Sequence, residues 1–388
     1  MLIGINALFL RKPGTGIGQV SVHFIQTLLA QHTTDGSSDT NTRYILYTEE
    51  PIDFDLPPHC HNTYFLPRYW KRDDLIRRWL WEQQVARQAM KDGCNAFISL
   101  YQSSTIFPET TTINHTMVTH DIIPKLFPAY RGNLRQAIYW KMVERGITQA
   151  HHIVSVSQHT KDDLIRELAI PEDKISVVYP AVAPRFHTKL SHEALMGILQ
   201  KYELRSGYIY HGGGLEIRKN TERLLRAYKQ LRDTANNIPL LVISGKIHSK
   251  NNPLATNVED VVKRLGLQEY VRLLGFIPDT DMPAIYQGAL FFVYPSLYEG
   301  FGLPVLEALA LGVPTLTSAV SSLPEVGGNA VIYTDPKNIQ DIAYQMTRLL
   351  NDATLRATLA SHGIQQTLQF NWESFAHNIL HTLEKSPR

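Results

Sequence analysis

FFVYPSLYEGFGLPVLEALALGVPTLTS, residues 291–318, holds a strand, a turn, a helix and the start of a further strand in one run. Phe291–Tyr294 is apolar at every position, as a strand buried on both faces must be, and Pro295 ends it. A turn carries Glu299, Gly300 and Gly302; Pro304 suits the first turn of a helix, and Gly312 with Pro314 closes that helix. VPTLTS then opens the next apolar run.

The same alternation extends outward in both directions. LIGINALF, RYILYT, NAFISL, TMVTH, HIVSVS and KISVVY precede it in one series, then SGYIYH, PLLVIS and YVRLLG in a second, each separated by longer amphipathic stretches. Such a pattern predicts an α/β protein with parallel sheets covered by helices on both faces. The first series closes near Tyr179, and YPAVAPRFHTKLSHEAL, with Pro180 and Pro184, reads as a linker placing the boundary at residues 180–205. After Tyr333 only helical patterns remain, among them IQDIAYQMTRLLN and the closing WESFAHNILHTLEK. The expectation is two doubly wound, Rossmann-like domains, residues 1–185 and 200–368, facing each other across a cleft at the carboxyl ends of their strands.

Composition narrows the function. The chain has 388 residues, 38 Lys plus Arg against 36 Asp plus Glu, and the balance is even in both halves, so neither half is built to grip nucleic acid. Cys60 and Cys94 have no CxxC or zinc-ligand spacing, which points to packing in a reducing compartment. With no basic leader and no run of eighteen apolar residues, a cytoplasmic location is expected.

Four places can carry chemistry. After the first strand, RKPGTGIGQVSVHFIQTLL has Gly14, Gly16 and Gly18 opening a helix with Val20, Phe24 and Leu28 on its inner face. Such a loop lets backbone N–H groups approach an anion or a sugar, although a purely structural turn explains it too. Its GxGxG spacing is not the dinucleotide GxGxxG, and Glu49 and Glu50 lie beyond the distance of a ribose acid, so an oxidoreductase is disfavoured. YIYHGGGLEIRKNTERLLRAYKQL places Arg218 and Lys219 directly before a helix capped by Asn220 or Thr221, where a diphosphate would use both cations and the free N–H groups. In the opening stretch, Glu299 and Glu307 can hold two hydroxyls of one ligand while N–H groups from Phe301 to Val305 face its phosphate. TMVTHDIIP delivers His120 and Asp121 to a strand's carboxyl end, where an imidazole can donate to a sugar hydroxyl or a phosphate. Asp53-Phe-Asp55 and Asp279-Thr-Asp281 look like metal clamps but sit in a Pro-rich loop and at a helix start.

Glu299-GFGLPVL-Glu307, with IRKN at 217–220, LLGFIPDTDMPAIYQGALFFVYPS at 273–296 and LPEVGG at 323–328, resembles glycosyltransferase family 4, retaining enzymes of GT-B architecture. GTGIG and the His120–Asp121 pair match the family's N-terminal pattern, and the helix at about 370–388 is similar to the one that crosses back to the first domain. The resemblance implies that Glu299 touches hydroxyls of the transferred sugar and that Gly300, Phe301, Gly302 and Leu303 offer N–H groups to sugar and phosphate. It also implies that Glu307 binds the nucleotide ribose and that Lys219 with Arg218 neutralises the departing diphosphate. Phe276 and Ile277 would border the base, His120 would lie beside the donor sugar, and Gly16 and Gly18 between donor phosphate and acceptor. Fixed positive charge aimed at the leaving group makes a metal unnecessary. One departure stands out: many relatives carry a second cation six residues before the lysine, where this chain has Gly213.

The resemblance points to bacterial transferases of surface-polysaccharide assembly, hence to GDP-mannose as the donor and a glycan or lipid-linked glycan as the acceptor; UDP- and dTDP-sugars remain alternatives, as does a non-catalytic GT-B subunit needing a partner. Arg68–Lys91 holds seven basic and three acidic residues with Trp70, Trp79, Leu80 and Trp81 interleaved. It suits peripheral contact with an anionic inner membrane, or equally an ordinary surface helix whose tryptophans are core.

Overall fold

The computed structural model describes every residue except 35–41, 50, 53–54, 65–74, 247–251 and 386–388. Residues 1–180 with 371–388 form one compact unit and residues 181–370 another.

In the first unit seven parallel strands run in the order β3-β2-β1-β4-β5-β6-β7. They are β1 (Leu2–Asn6), β2 (Arg43–Thr48), β3 (Cys60–Tyr64), β4 (Ala96–Ser99), β5 (Asn114–Thr119), β6 (His152–Ser155) and β7 (Ile175–Val177). Apolar runs account for six of them. The exception is the edge strand β3, whose CHNTY lacks an apolar run; backbone pairing to β2 holds it, and Asn62 Nδ2 donates to Leu46 O at 3.0 Å and to Thr48 Oγ1 at 2.7 Å. The chain order reverses between β1 and β4, so ligands are expected outside the carboxyl ends of those two strands.

The helix Gly16–Thr34 buries Val20, Phe24 and Leu28. The closing helix Trp372–Lys385 packs on it: Trp372 stacks on His23 at 5.1 Å and Phe375 meets Phe24 at 6.3 Å. Asn114 Nδ2 also donates to Leu383 O at 3.0 Å, which ties the helix to β5.

The second unit repeats the plan with six parallel strands, β10-β9-β8-β11-β12-β13. Here β8 is Tyr208–His211, β9 Leu241–Ser244, β10 Val271–Gly275, β11 Ala289–Tyr294, β12 Thr315–Ser318 and β13 Ile332–Thr334. The three-residue edge strand β13 is too short to leave a pattern of its own in the sequence. Between β11 and β12 runs the helix Leu303–Ala310 with Pro304 in its first turn, and the neighbours β8 and β11 form this sheet's switch point, Tyr210 pairing with Phe292. The linker stretch is part of this unit: Ala181, Val182, Ala183 and Phe186 are buried, with Phe186 edge-on to Tyr286 at 5.9 Å. Among the described residues no helix is long and apolar enough to cross a membrane.

One helix also meets a neighbouring loop at backbone distance. A Cβ on Gly146, in the helix Leu134–Gln149, would sit 2.1 Å from Ser103 O, a distance that forces the loop after β4 to move. Gly146→Ala should therefore cost about 1–3 kcal/mol. All five tryptophans fall within the residue ranges of the first unit, so a lower urea midpoint in tryptophan fluorescence reports that loss directly.

Candidate active site

The turn after β8 and the turn after β11 bring together residues some eighty positions apart. Arg218 and Lys219 lie in the short 3-10 turn Ile217–Lys219, and Glu299 lies after β11. Lys219 Nζ donates to Glu299 Oε1 at 2.8 Å and Arg218 Nη1 donates to Oε2 at 2.7 Å. The same Oε1 accepts from Ser296 Oγ at 2.6 Å and from Tyr294 OH at 2.9 Å, and Lys219 Nζ also bonds the Tyr294 hydroxyl. Lys219 and Glu299 are 4% and 6% exposed, and Arg218 also pairs with Glu216 Oε2 at 2.6 Å, so the buried Glu299 faces both cations while the more exposed Glu216 meets Arg218 but not Lys219.

That imbalance governs the electrostatics. Burial alone would raise the carboxyl of Glu299, but Arg218 and Lys219 outweigh it and hold the group down at about 2. Burial, reinforced by the Arg218 charge, pushes Lys219 down to about 8. Two cations stand against two carboxylates, so an anion gains a net positive partner here when Arg218 exchanges the more exposed Glu216 for the ligand. Glu299 Oε2 has one donor against three on Oε1, and each carboxylate oxygen offers about two lone pairs. Oε2 is where a ligand hydroxyl finds capacity.

Of the two expected caps, Asn220 and Thr221, Asn220 takes the N-cap position, but without a side-chain bond to a helix N–H. Instead it adopts a left-handed backbone, φ 63°, and its Nδ2 donates to Pro295 O at 2.9 Å and Pro336 O at 2.6 Å. It therefore ties the loop that bears the cations to the one that bears Glu299. His211, buried and kept neutral, bridges Val293 O and Thr221 Oγ1, both at 2.9 Å, beneath the same turn.

Beyond Glu299 the chain passes Gly300 and Phe301 to Gly302, the helix N-cap, at φ 118°. Only glycine holds that angle without strain, and a Cβ there would also meet Leu323 at 2.9 Å. Ser321 Oγ accepts the Glu299 N–H at 3.0 Å, and Ser322 Oγ donates to Glu299 O and Phe301 O at 3.0 and 2.6 Å. These two serines, which the motif reading does not single out, fix the loop. The N–H groups of Val305 and Leu306 are spent on Gly302 O, at 2.9 and 3.2 Å. This narrows the expected phosphate-facing stretch, because Val305 is not available.

Glu307 occupies a different environment. Its Oε2 accepts from Tyr286 OH at 2.9 Å, and burial raises its carboxyl to about 7. Arg185 and Asp279 exert opposing charges on it, and these two pair at 3.6 Å. Phe276 and Ile277 follow β10; Phe276 is 71% exposed and Ile277 is buried. Asp281 is taken by Lys201 Nζ and Tyr202 OH, both at 2.6 Å.

The remaining expected residues lie in the first unit. Gly16 begins the helix Gly16–Thr34 and is exposed, whereas Gly18 is buried with its Cβ position 1.8 Å from Lys12 O, a contact that admits glycine alone. His120 follows β5, and burial holds its imidazole neutral at about 4. Its Nε2 lies 2.9 Å from Leu100 O, a bond that places the single proton on Nε2 and makes Nδ1 an acceptor. The expected donor role is thereby reversed: toward a ligand this ring accepts. Gln102 Oε1 accepts the His120 N–H at 3.2 Å, and the loop bearing Gln102 is held by buried Glu82, which accepts from Ser104 N–H at 2.9 Å and Ser104 Oγ at 2.6 Å. Arg78 completes the support, pairing with Glu82 at 3.0 Å and donating to Gln102 O at 3.1 Å. Its i, i+4 spacing to Glu82 was legible, but its bearing on His120 was not. Glu49 pairs with Arg11 at 2.6 Å and Arg77 at 3.0 Å; Glu50, Asp53, Trp70 and the start of the Arg68–Lys91 stretch lie outside the described residues. Trp81 is core, touching Asn6 Oδ1 at 3.2 Å, and Trp79 and Leu80 are half-buried.

Gly213 explains the missing second cation. Its φ is 86° and a Cβ would sit 2.9 Å from Pro304 and 3.0 Å from Tyr294. An arginine cannot occupy this position without displacing the loop, and Arg218 stands beside Lys219 instead. Gly214, at φ 102°, meets nothing within 4 Å. Gly213→Ala should consequently cost about 1–3 kcal/mol more than Gly214→Ala, read by scanning calorimetry.

Residues 94–186 match the family model Glycosyltransferase Family 4, and residues 201–366 match Glycosyl transferases group 1. The chain is 36% identical over 257 residues to O-antigen chain mannosyltransferase B of Escherichia coli, 66% of each protein. It is 32% identical over 265 residues to the serotype-specific mannosyltransferase WbdA of Escherichia coli, a match spanning 67% of this chain but 32% of WbdA. Among solved structures it is similar to WaaG, a glycosyltransferase involved in lipopolysaccharide biosynthesis, with TM-score 0.75 at 15% identity over 99% of this chain and 100% of that one. Anabaena HepE, solved with UDP-glucose, gives 0.72 at 16% identity over 99% of both. With these matches and two parallel, doubly wound sheets, the chain belongs to glycosyltransferase family 4 and has the GT-B fold.

Proposed function

We propose that this protein transfers mannose from GDP-mannose, with retention of configuration and without a metal, to a hydroxyl of a glycan or lipid-linked glycan in cell-surface polysaccharide synthesis. The Arg218–Lys219–Glu299 cluster carries the reading, because its two adjacent cations suit a diphosphate and its buried carboxylate a sugar hydroxyl. Similarity to the two mannosyltransferases supports mannose as the sugar.

The chemistry follows from charge. Cleaving the bond between sugar and phosphate leaves an oxocarbenium-like sugar and a diphosphate, so cations fixed in a water-poor site stabilise the transition state more than the ground state. Lys219, Arg218 and the amides of Gly302 and Leu303 serve the leaving group; Glu299 Oε2 orients a sugar hydroxyl; Glu307 accepts the ribose hydroxyls. The acceptor hydroxyl attacks from the face the phosphate leaves, and a phosphate oxygen takes its proton. His120 Nδ1 then accepts a hydrogen bond from a sugar hydroxyl.

The protonation states set the pH dependence of donor binding. Below about 7 Glu307 keeps a proton that must leave before both ribose hydroxyls can be accepted, and above about 8 Lys219 loses the charge the diphosphate needs. GDP affinity should peak between these values. Glu307→Gln should flatten the acidic limb and Lys219→Arg should carry the alkaline limb upward, both read by calorimetry.

The direct test titrates the protein with GDP, UDP and dTDP in EDTA, then assays GDP-mannose turnover. Preference for GDP is expected; preference for UDP or dTDP would replace mannose as the sugar, and no binding would overturn the enzymatic reading. Glu299→Ala should lower turnover at least about a thousandfold. It also leaves the buried Lys219 without its carboxylate, at about 3–5 kcal/mol of stability, whereas Glu307→Ala should chiefly weaken nucleotide binding.

A further inference from the structure

We propose that Glu216 is a resident counter-ion of Arg218 which the diphosphate of the donor displaces and which returns to Arg218 as the nucleoside diphosphate leaves, so that it weakens nucleotide binding and speeds product release. The inference rests on the diphosphate reading of the Arg218–Lys219 cluster and holds for any base and any sugar.

Arg218 divides its guanidinium between two carboxylates. Nη1 donates to Glu299 Oε2 at 2.7 Å and to Tyr298 O at 3.1 Å, while Nε donates to Glu216 Oε2 at 2.6 Å. The Nε side is part of the fork with which a guanidinium receives phosphate or carboxylate oxygens, so Glu216 sits where an incoming anion would be received. The two carboxylates are not equivalent. The Glu299 side chain is 8% exposed and takes donors from Arg218, Lys219, Tyr294 and Ser296. That of Glu216 is 39% exposed, so water can solvate it once it lets go, whereas Glu299 has no such alternative.

The exchange falls to side chains, because the main chain on both sides is held. Glu216 bridges Ala255; beside it Ile217 N–H donates to Leu254 O at 3.0 Å and Thr256 N–H to Leu215 O at 2.8 Å. Arg218 O accepts from Leu297 N–H at 2.7 Å and from Ser296 Oγ at 3.0 Å. Rotation of the Glu216 side chain into water is thus the smallest movement that hands Nε–H to a ligand, and it leaves the turns after β8 and β11 in register. A carboxylate kept within a few ångströms of a bound diphosphate repels it, so the two anions compete for one guanidinium. The competition acts on donor and product alike, since both carry the diphosphate. Its effect is to keep the nucleotide from being held too tightly to leave.

The test is calorimetric titration of the full chain with GDP, UDP and dTDP at low salt, on wild type, Glu216→Gln, Arg218→Gln, Lys219→Ala and the Glu216→Gln/Arg218→Gln double variant. Glu216→Gln should tighten binding of whichever nucleotide wild type prefers by about fivefold or more, slow its dissociation, and tighten product inhibition of turnover to match. A gain in affinity cannot come from a damaged fold. In the Arg218→Gln background the same substitution should change affinity about twofold or less, because the competition is for that guanidinium. Unchanged or weaker binding by Glu216→Gln, with affinity lost in Lys219→Ala, would overturn the inference and leave the diphosphate reading standing. So would a gain that persists undiminished in the Arg218→Gln background, since Glu216 would then act through its field alone. Wild-type affinity in both Lys219→Ala and Arg218→Gln, or no binding of any of the three nucleotides, would overturn the diphosphate reading and this inference with it.

Discussion

One buried carboxylate, Glu299, facing the buried Lys219 and the partly buried Arg218 sets the terms for the rest of the second unit. A lone ammonium in that position would lose its proton, and a lone carboxylate would gain one. Together Lys219, Arg218 and Glu299 remain charged, and they do so only while the turns after β8 and β11 stay in register. Most of the surrounding detail serves that register: Asn220 bonding to both Pro295 and Pro336, Ser321 and Ser322 holding the Glu299 loop, and His211 bridging beneath. Because the two strands are neighbours at the switch point, the parallel sheet supplies a rigid base for a site made of loops.

The first unit solves a related problem with different parts. His120 is fixed by its ring on Leu100 O and by its N–H on the Gln102 side chain, and the loop that provides both is secured by Glu82 and Arg78 from another helix. Arg78 lies over the rings of Phe9, Tyr101 and Tyr139, so its charge is kept away from water on several sides. Breaking Arg78 from Glu82 therefore bears on the position of an imidazole that neither residue touches.

Much of this was legible in the chain, for identifiable reasons. Buried parallel strands must be apolar on both faces, so LFFVYP or NAFISL declares itself, whereas β3 at a sheet edge and the three-residue β13 do not. Glu299, Lys219 and Arg218 were legible as chemistry because charged residues beside glycine turns and helix starts have few structural uses. Their pairing was not, since only topology brings positions eighty apart within 3 Å. Nor could residue types alone give the tautomer of His120, the raised carboxyl of Glu307 or the backbone angle that keeps Gly213 a glycine, for each depends on what packs around it.

The account stands or falls on the counter-ion of the two cations. A crystal structure of the protein with GDP-mannose, grown in EDTA, tests it most directly. The prediction is a diphosphate oxygen within about 3 Å of Lys219 Nζ and of the Gly302 or Leu303 amide, with a sugar hydroxyl on Glu299 Oε2. A diphosphate bound elsewhere, with Arg218 and Lys219 still closed on Glu216 and Glu299, would contradict it.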